Sequence, residues 1–248
     1  MKEKIISEKA LLFKTIFAFV VFIATFSFGV YAWKKLRHEV KVAGVQSTLR
    51  KGLNTNEKIF SGLFSDKRLV KTYPISEAVA HVRVNGKEGL RTSVDTATWR
   101  LQLVKKDGDT LSLTLDDIKK LPKTDIVFDF KCIEGWSQKT WWSGVKFADF
   151  VKFYHLDNEA KLAYAGLATP DKEYYVGIDM ASMIQPQTLL CYEMNGKPLP
   201  LDQGFPLRLI IPVKYGIKHL KRIGTIFFSD QKPPDFWAER GYDYYAGH

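Results

Sequence analysis

The stretch Asp129-Phe130-Lys131-Cys132-Ile133-Glu134-Gly135-Trp136-Ser137 has the residue types for metal or redox chemistry. Cys132 follows an apolar run, Ile126-Val127-Phe128, which reads as a buried strand, and precedes a Gly-Trp-Ser turn. A thiol at a strand end, beside a turn that can open a pocket, is a soft donor suited to a soft metal. The competing reading is that Cys132 is a small buried hydrophobe, a frequent fate for an unbridged cysteine. The other cysteine, Cys191, lies in Thr188-Leu189-Leu190-Cys191-Tyr192, which reads as a structural buried strand. Two cysteines do not make a disulfide scaffold.

A second stretch, residues 195–223, is a poor ordinary loop. Arg208 sits inside the apolar run Leu207 to Pro212, where an unpaired charge is costly. Lys214, Lys218, His219 and Lys221 surround Gly216, which permits close backbone approach. Side-chain and backbone donors gathered in this way suit an anionic ligand. A solvated basic loop with one buried arginine ion pair explains the same residues.

The elements that must hold these stretches are short and mostly extended. Trp99 to Val104 and Thr110 to Thr114 alternate and flank the turn Lys106-Asp107-Gly108-Asp109, which makes a hairpin. A short helix follows, with acids in its first turn, and ends by Pro122. Apolar residues at 147, 150, 151 and 154 have a helical period. Before them, Trp141-Trp142-Ser143-Gly144-Val145 reads as an aromatic and glycine segment leading into that helix. Residues 161–168, 174–178, 189–194, 207–212 and 224–229 read as strands, with a helical turn at 179–184 and tight turns at 169–172 and 195–198. Short helices scattered among many strands predict an α+β fold in one mixed, sheet-rich domain.

The N-terminal end differs. Thr15 to Trp33 carries no charge, and these 19 residues reach roughly 28 Å as a helix, enough to cross a bilayer. Tyr31 and Trp33 sit where an interfacial belt belongs. The following Lys34-Lys35-Leu36-Arg37 offers no small-residue cleavage site, so an uncleaved anchor is expected over a signal peptide. Lys and Arg flank both ends, which leaves orientation undecided. The expected organisation is a flank at 1–14, a transmembrane helix at 15–33, a juxtamembrane stalk, helical at first, at 34–60, and a domain at 61–248. The net charge of +10 comes from dispersed residues. With no zinc-finger, RNA-recognition or basic-helix pattern, no nucleic-acid partner is expected.

The Cys-Ile-Glu-Gly-Trp-Ser segment, with Gly-Phe-Pro-Leu-Arg-Leu-Ile-Ile-Pro, Lys-Tyr-Gly-Ile-Lys-His-Leu-Lys, Lys-Pro-Pro-Asp-Phe-Trp and Tyr-Asp-Tyr-Tyr, resembles the sulfite oxidase superfamily of molybdopterin oxidoreductases. Within it the likeness is to the catalytic subunits of bacterial periplasmic protein-methionine-sulfoxide reductases. The resemblance covers about Trp99 to the C-terminus, and more loosely from Arg83. It implies a sulfite-oxidase-type fold with a molybdenum-molybdopterin cofactor. Cys132 matches the molybdenum ligand, and Arg208 an arginine at the pterin phosphate. His219, Leu220 and Lys221 match a backbone-and-lysine segment holding the cofactor. Gln203 stands where the reductases carry Asn and other members His. Asn85 matches an asparagine near the cofactor, and Thr169 a hydroxyl residue after the central strand, where ungapped alignment gives Leu167.

The resemblance also implies oxygen-atom transfer, an inner-membrane site with the domain on the periplasmic face, and a haem-containing membrane subunit as electron partner. Sulfite-oxidising members carry arginines just after the ligand cysteine; this chain has Glu134-Gly135-Trp136-Ser137-Gln138-Lys139. The aromatics Trp136, Trp141 and Trp142, read as a pocket wall, suit a neutral sulfoxide. Reduction of a sulfoxide is therefore expected over oxidation of sulfite. A cofactor-free accessory subunit is the third reading, kept open because no twin-arginine pair precedes the apolar run.

Overall fold

A computed structural model describes residues 7–65, 67, 69–84 and 86–248. The chain divides into two compact units, residues 1–52 and 53–248. In the first unit, helix α1 (Glu8–Arg37) starts at an N-cap, Ser7, and buries none of its residues. It is long and apolar enough to cross a membrane. The helix runs on to Arg37, so residues 34–37 are helical as expected, and β1 (Lys41–Val42) and β2 (Val45–Gln46) then form a small hairpin. Ala43 and Gly44 both have positive φ and make the two-residue turn of this hairpin. Helix α2 (Ser47–Leu63) follows and crosses the boundary between the units.

In the second unit the described residues form two five-stranded sheets. One is built from β3 (Leu101–Val104), β4 (Thr110–Leu113), β7 (Tyr164–Ala168), β8 (Tyr175–Asp179) and β12 (Thr225–Ser229), in the order β4-β3-β12-β7-β8. All its pairings are antiparallel except β12 with β3. The expected hairpin is β3–β4, and the helix after it, α3 (Leu115–Lys119), opens with a capping box between Thr114 and Asp117.

The other sheet holds β5 (Lys123–Lys131), β6 (Ser137–Lys146), β9 (Leu189–Met194), β10 (Lys197–Pro198) and β11 (Arg208–Ile210), all antiparallel. The aromatic segment expected at 141–145 is part of β6, and helix α4 (Phe147–Phe153) starts only after it. A short helix, α5 (Met180–Met183), is N-capped by Asp179.

One large apolar core includes Leu101, Phe147, Phe150, Leu167, Ile178, Leu207 and Ile226. A smaller one joins Phe128, Phe130, Trp142, Cys191 and Ile210. The stretch after β11 ties the sheets together. Leu209 donates to the Leu220 carbonyl and Ile223 to that of Leu207, while Gly224 donates to Ala168 and accepts from Gln102. The residues expected to bind an anion therefore lie on a crossover held at both ends.

Candidate functional site

Cys132 stands at the start of the loop that joins β5 to β6. The last ladder pair is Lys131 with Ser137, which leaves five residues to turn the chain. Cys132 N–H donates to the Trp136 carbonyl at 2.9 Å, and Gly135 N–H to the Cys132 carbonyl at 3.1 Å. Gly135 has φ +88°, a conformation that other residues take only with strain. The hydrogen-bonded loop holds the thiol, which is 2% exposed, and no disulfide joins it to Cys191. Burial pushes the Cys191 thiol up to about 12, as suits a structural cysteine.

Ile133 and Glu134 reach into a cavity of about 220 Å³, lined also by Glu88, Tyr174, Gly216, Ile217, His219, Lys221, Trp237 and Tyr242. A smaller cavity of about 30 Å³ shares Gly216 and Lys221 with it and is lined by Arg83, Phe130, Trp142, Gln203 and Arg208. A wider cleft of about 680 Å³, bordered by Arg91, Asp202 and Arg222, meets the first at Gly86. The segment from Gly216 to Lys221 therefore separates two spaces that both lie near the crossover.

Arg208 is the central cation. It is 2% exposed, with its guanidinium 4.5 Å above the Trp142 ring. Nη1 donates to the Gln203 carbonyl (3.1 Å) and to Gln203 Oε1 (2.8 Å), and Nη2 to the His219 carbonyl (3.5 Å). Nε is buried without a hydrogen-bond partner. No carboxylate among the described residues pairs with Arg208. Burial lowers its pKa to about 10. Lys221 is lowered to about 7, by burial first and by the Arg208 charge second, and its Nζ donates to the Gly86 carbonyl. Two partly desolvated cations lining neighbouring cavities are costly alone and are relieved by an anion. The donor set thus fits a phosphate-bearing cofactor, and a thiol-bearing loop at the cavity edge fits a soft metal.

Gln203 does not face the cavity with both polar ends. Its Oε1 is taken by Arg208, and Nε2 lies 3.4 Å from the Val82 and Arg83 carbonyls. It orients the arginine. His219 also has both nitrogens committed. Ile211 N–H donates to Nδ1, so the proton is on Nε2, which faces the Lys214 carbonyl at 3.1 Å. Burial, with the Arg208 charge second, lowers this imidazole to about 3. Its ring edge meets Phe130 with centroids 4.7 Å apart. Leu220 is buried in the large core and contributes its backbone to the crossover.

Thr169 is buried in the turn after β7 and does not line either cavity. Its hydroxyl donates to Asp171 (2.6 Å) and accepts from Tyr174 N–H. Leu167 is packed in the large core. Asn85 lies outside the described residues.

Two sequence expectations need correction. The lysines around Gly216 do not act together. Lys214 pairs with Asp179 at 2.7 Å and Lys218 with Asp235, both lysine side chains 1% exposed, and only Lys221 lines the cavities. Each carboxylate is contributed by a distant segment, so local charge counting could not find it. The tryptophans do not form one wall either. Along β6, neighbouring side chains point to opposite faces. Trp142 is buried under Arg208, whereas Trp141 donates to Asp125 and lies against Gly196. Trp136 stacks on Phe130 and has the Arg83 guanidinium over its ring at 4.8 Å.

Tyr174, Trp237 and Tyr242 form the aromatic lining of the larger cavity instead. The tail motifs contained Trp237 and Tyr242, but nothing in their spacing said that they turn inward.

The oxidoreductase molybdopterin-binding domain model matches residues 88–237. A protein of Azospira oryzae named as the protein-methionine-sulfoxide reductase subunit YedZ1 is 35% identical over 206 residues, 82% of this chain and 77% of that one. The protein-methionine-sulfoxide reductase catalytic subunit MsrP of Campylobacter jejuni is 30% identical over 174 residues, 63% of this chain and 59% of its own. Mitochondrial sulfite oxidase of Mus musculus is 30% identical over 177 residues, 60% of this chain but 32% of its own length. In structure, the sulfane dehydrogenase SoxCD of Paracoccus pantotrophus shares the fold with a TM-score of 0.51 at 16% identity, over 57% of this chain and 40% of that one.

Proposed function

Because the chain belongs to the oxidoreductase molybdopterin-binding domain family, and is a molybdopterin oxidoreductase of the sulfite oxidase type, we propose that it reduces a sulfoxide-type substrate. The cofactor, when bound, supplies the two-electron exchange of an oxygen atom. The chain binds and orients it. Cys132 offers the thiolate ligand to molybdenum, from a loop braced by its own backbone hydrogen bonds. Arg208 and Lys221 neutralise the phosphate of the pterin. Gln203 and the Trp142 ring hold the Arg208 fork in place. His219 keeps its ring neutral and lends its carbonyl to Arg208, while Leu220 anchors the segment in the core. Asn85 completes the assignment on resemblance alone; Thr169, whose hydroxyl is committed to Asp171 and Tyr174 away from the cavities, does not.

The observation that carries the direction is the lining beside the thiol loop. Glu88 and Glu134 border that cavity together with Tyr174, Trp237 and Tyr242; Lys221 is its lysine, and no arginine among the described residues lines it. Two carboxylates repel sulfite, whereas an aromatic lining accepts a neutral sulfoxide. The MsrP relatives favour the same direction; the sulfite oxidases make sulfite the comparison substrate.

For the whole protein, residues 15–33 within α1 form a single-pass anchor in the inner membrane, with 1–14 as flank, 34–60 as linker and 61–248 as the cofactor domain on the periplasmic face. A haem-containing membrane subunit supplies the electrons.

The test compares wild type with Cys132→Ser, each purified from a host that makes the cofactor. Near-stoichiometric molybdenum and turnover of a methionine sulfoxide are expected for wild type, with both lost in the variant. Turnover of sulfite but not sulfoxide would reverse the assigned direction. A variant that keeps its metal would remove Cys132 as ligand.

A further inference from the structure

Behind the aromatic wall lies an ion pair that the proposed chemistry does not use. Lys218 Nζ donates to Asp235 Oδ2, with the two side chains 1% and 2% exposed. Lys218 Nζ also donates to the Gly177 carbonyl at 3.0 Å, and Gly177 N–H donates to the same carboxylate oxygen at 3.2 Å. The second carboxylate oxygen accepts from Ala238 N–H at 2.9 Å. The Tyr244 ring lies over Lys218, 4.4 Å from Nζ.

Three segments far apart in sequence therefore meet at one buried pair, and each supplies part of the cavity wall. The turn Gly216–Lys218 brings Gly216 and Ile217, with His219 just after it. Strand β8 is entered from Tyr174, whose hydroxyl donates to the Ile217 carbonyl at 2.6 Å. The turn after Asp235 brings Trp237, which meets Tyr242 edge to face at 5.1 Å.

Stability is a poor explanation for such a pair. Removing two charges from water costs about what their attraction returns, and well-packed apolar replacements are often neutral or stabilising. A carboxylate with two directed oxygens and an ammonium with directed donors do what apolar groups cannot: they set the relative register of three backbones. We propose that Lys218 and Asp235 are positioning residues. Through Ile217, His219 and Trp237 they set the wall that receives the cofactor and the substrate. The inference rests on the molybdopterin site proposed above.

Its test uses the full chain from a cofactor-making host. Lys218→Met/Asp235→Leu removes both charges, and Lys218→Gln/Asp235→Asn removes them at nearly constant size. Thermal midpoint, molybdenum per chain and the rate of pterin release are measured for each. The expected result is a midpoint at or near that of wild type, with release at least tenfold faster and metal content correspondingly lower. A merely stabilising pair would lower the midpoint and leave release from the folded protein unchanged. If a folded variant retains cofactor as wild type does, the inference is overturned. If neither variant folds, the pair is a determinant of the fold and the inference fails as well. A wild type without molybdenum would instead overturn the proposed function, which separates the two failures.

Discussion

His219 lines a cavity while both of its ring nitrogens are spent on the chain itself. Its two nitrogens are satisfied within the chain, and its pKa is lowered to about 3 because burial disfavours the cation. An unfolded histidine titrates near 6.5, so between that value and 3 the unfolded chain binds the extra proton. Folding stability is therefore greatest above about pH 6.5 and falls as pH falls towards 3. The fall from pH 7 to pH 5 is about 2 kcal/mol for this one group. Urea unfolding of the detergent-solubilised protein at both pH values should show that loss, and His219→Asn, which does not titrate, should lack it. Equal pH dependence in the two proteins would mean that the imidazole is not held neutral.

Elements carry the precision of the site. Gly204, at φ +100°, packs against the Lys221–Arg222 segment: a Cβ there would lie 2.8 Å from Arg222 N and 2.9 Å from Lys221 Cα. Gly108, in the β3–β4 turn, has φ +93° and open space around it. Alanine at either position carries the backbone cost of the left-handed region, about 1 kcal/mol. Only Gly204→Ala must also displace Lys221. Both variants should therefore lose a few degrees of thermal midpoint, while Gly204→Ala alone should lose molybdenum. Equal metal content in both would show that the Lys221 segment tolerates displacement. The aromatic residues of β6 make the same point about precision. Trp141 and Trp142 are neighbours in sequence, and the strand sends them to opposite faces.

For the whole molecule, the apolar helix and the cofactor domain are separable predictions. Deleting residues 1–33 should release the remaining chain into the soluble fraction with its molybdenum retained. Retention of that truncated protein on membranes would place the attachment elsewhere or on a partner. Loss of metal with solubility intact would tie cofactor loading to the anchor.

Much of this protein was legible in one dimension because its signals are local. Alternation marked β3 and β4, apolar runs marked β5, β9, β11 and β12 while β6 read only as a turn and an aromatic segment, acids after Thr114 marked a helix start, and an uncharged run marked α1. The thiol before a glycine turn and the arginine within an apolar run stood out because each breaks the pattern around it. What remained hidden depends on contacts across long sequence separations. Asp179 and Asp235 neutralise Lys214 and Lys218, whereas the buried Arg208 and the half-buried Lys221 line the cavities. Likewise Tyr174, Trp237 and Tyr242 become a wall only because β8 and the tail fold back towards the crossover. Charge and aromaticity belong to residues, but pairing, burial and facing belong to the packed chain, where desolvation makes each unmatched group expensive enough to matter.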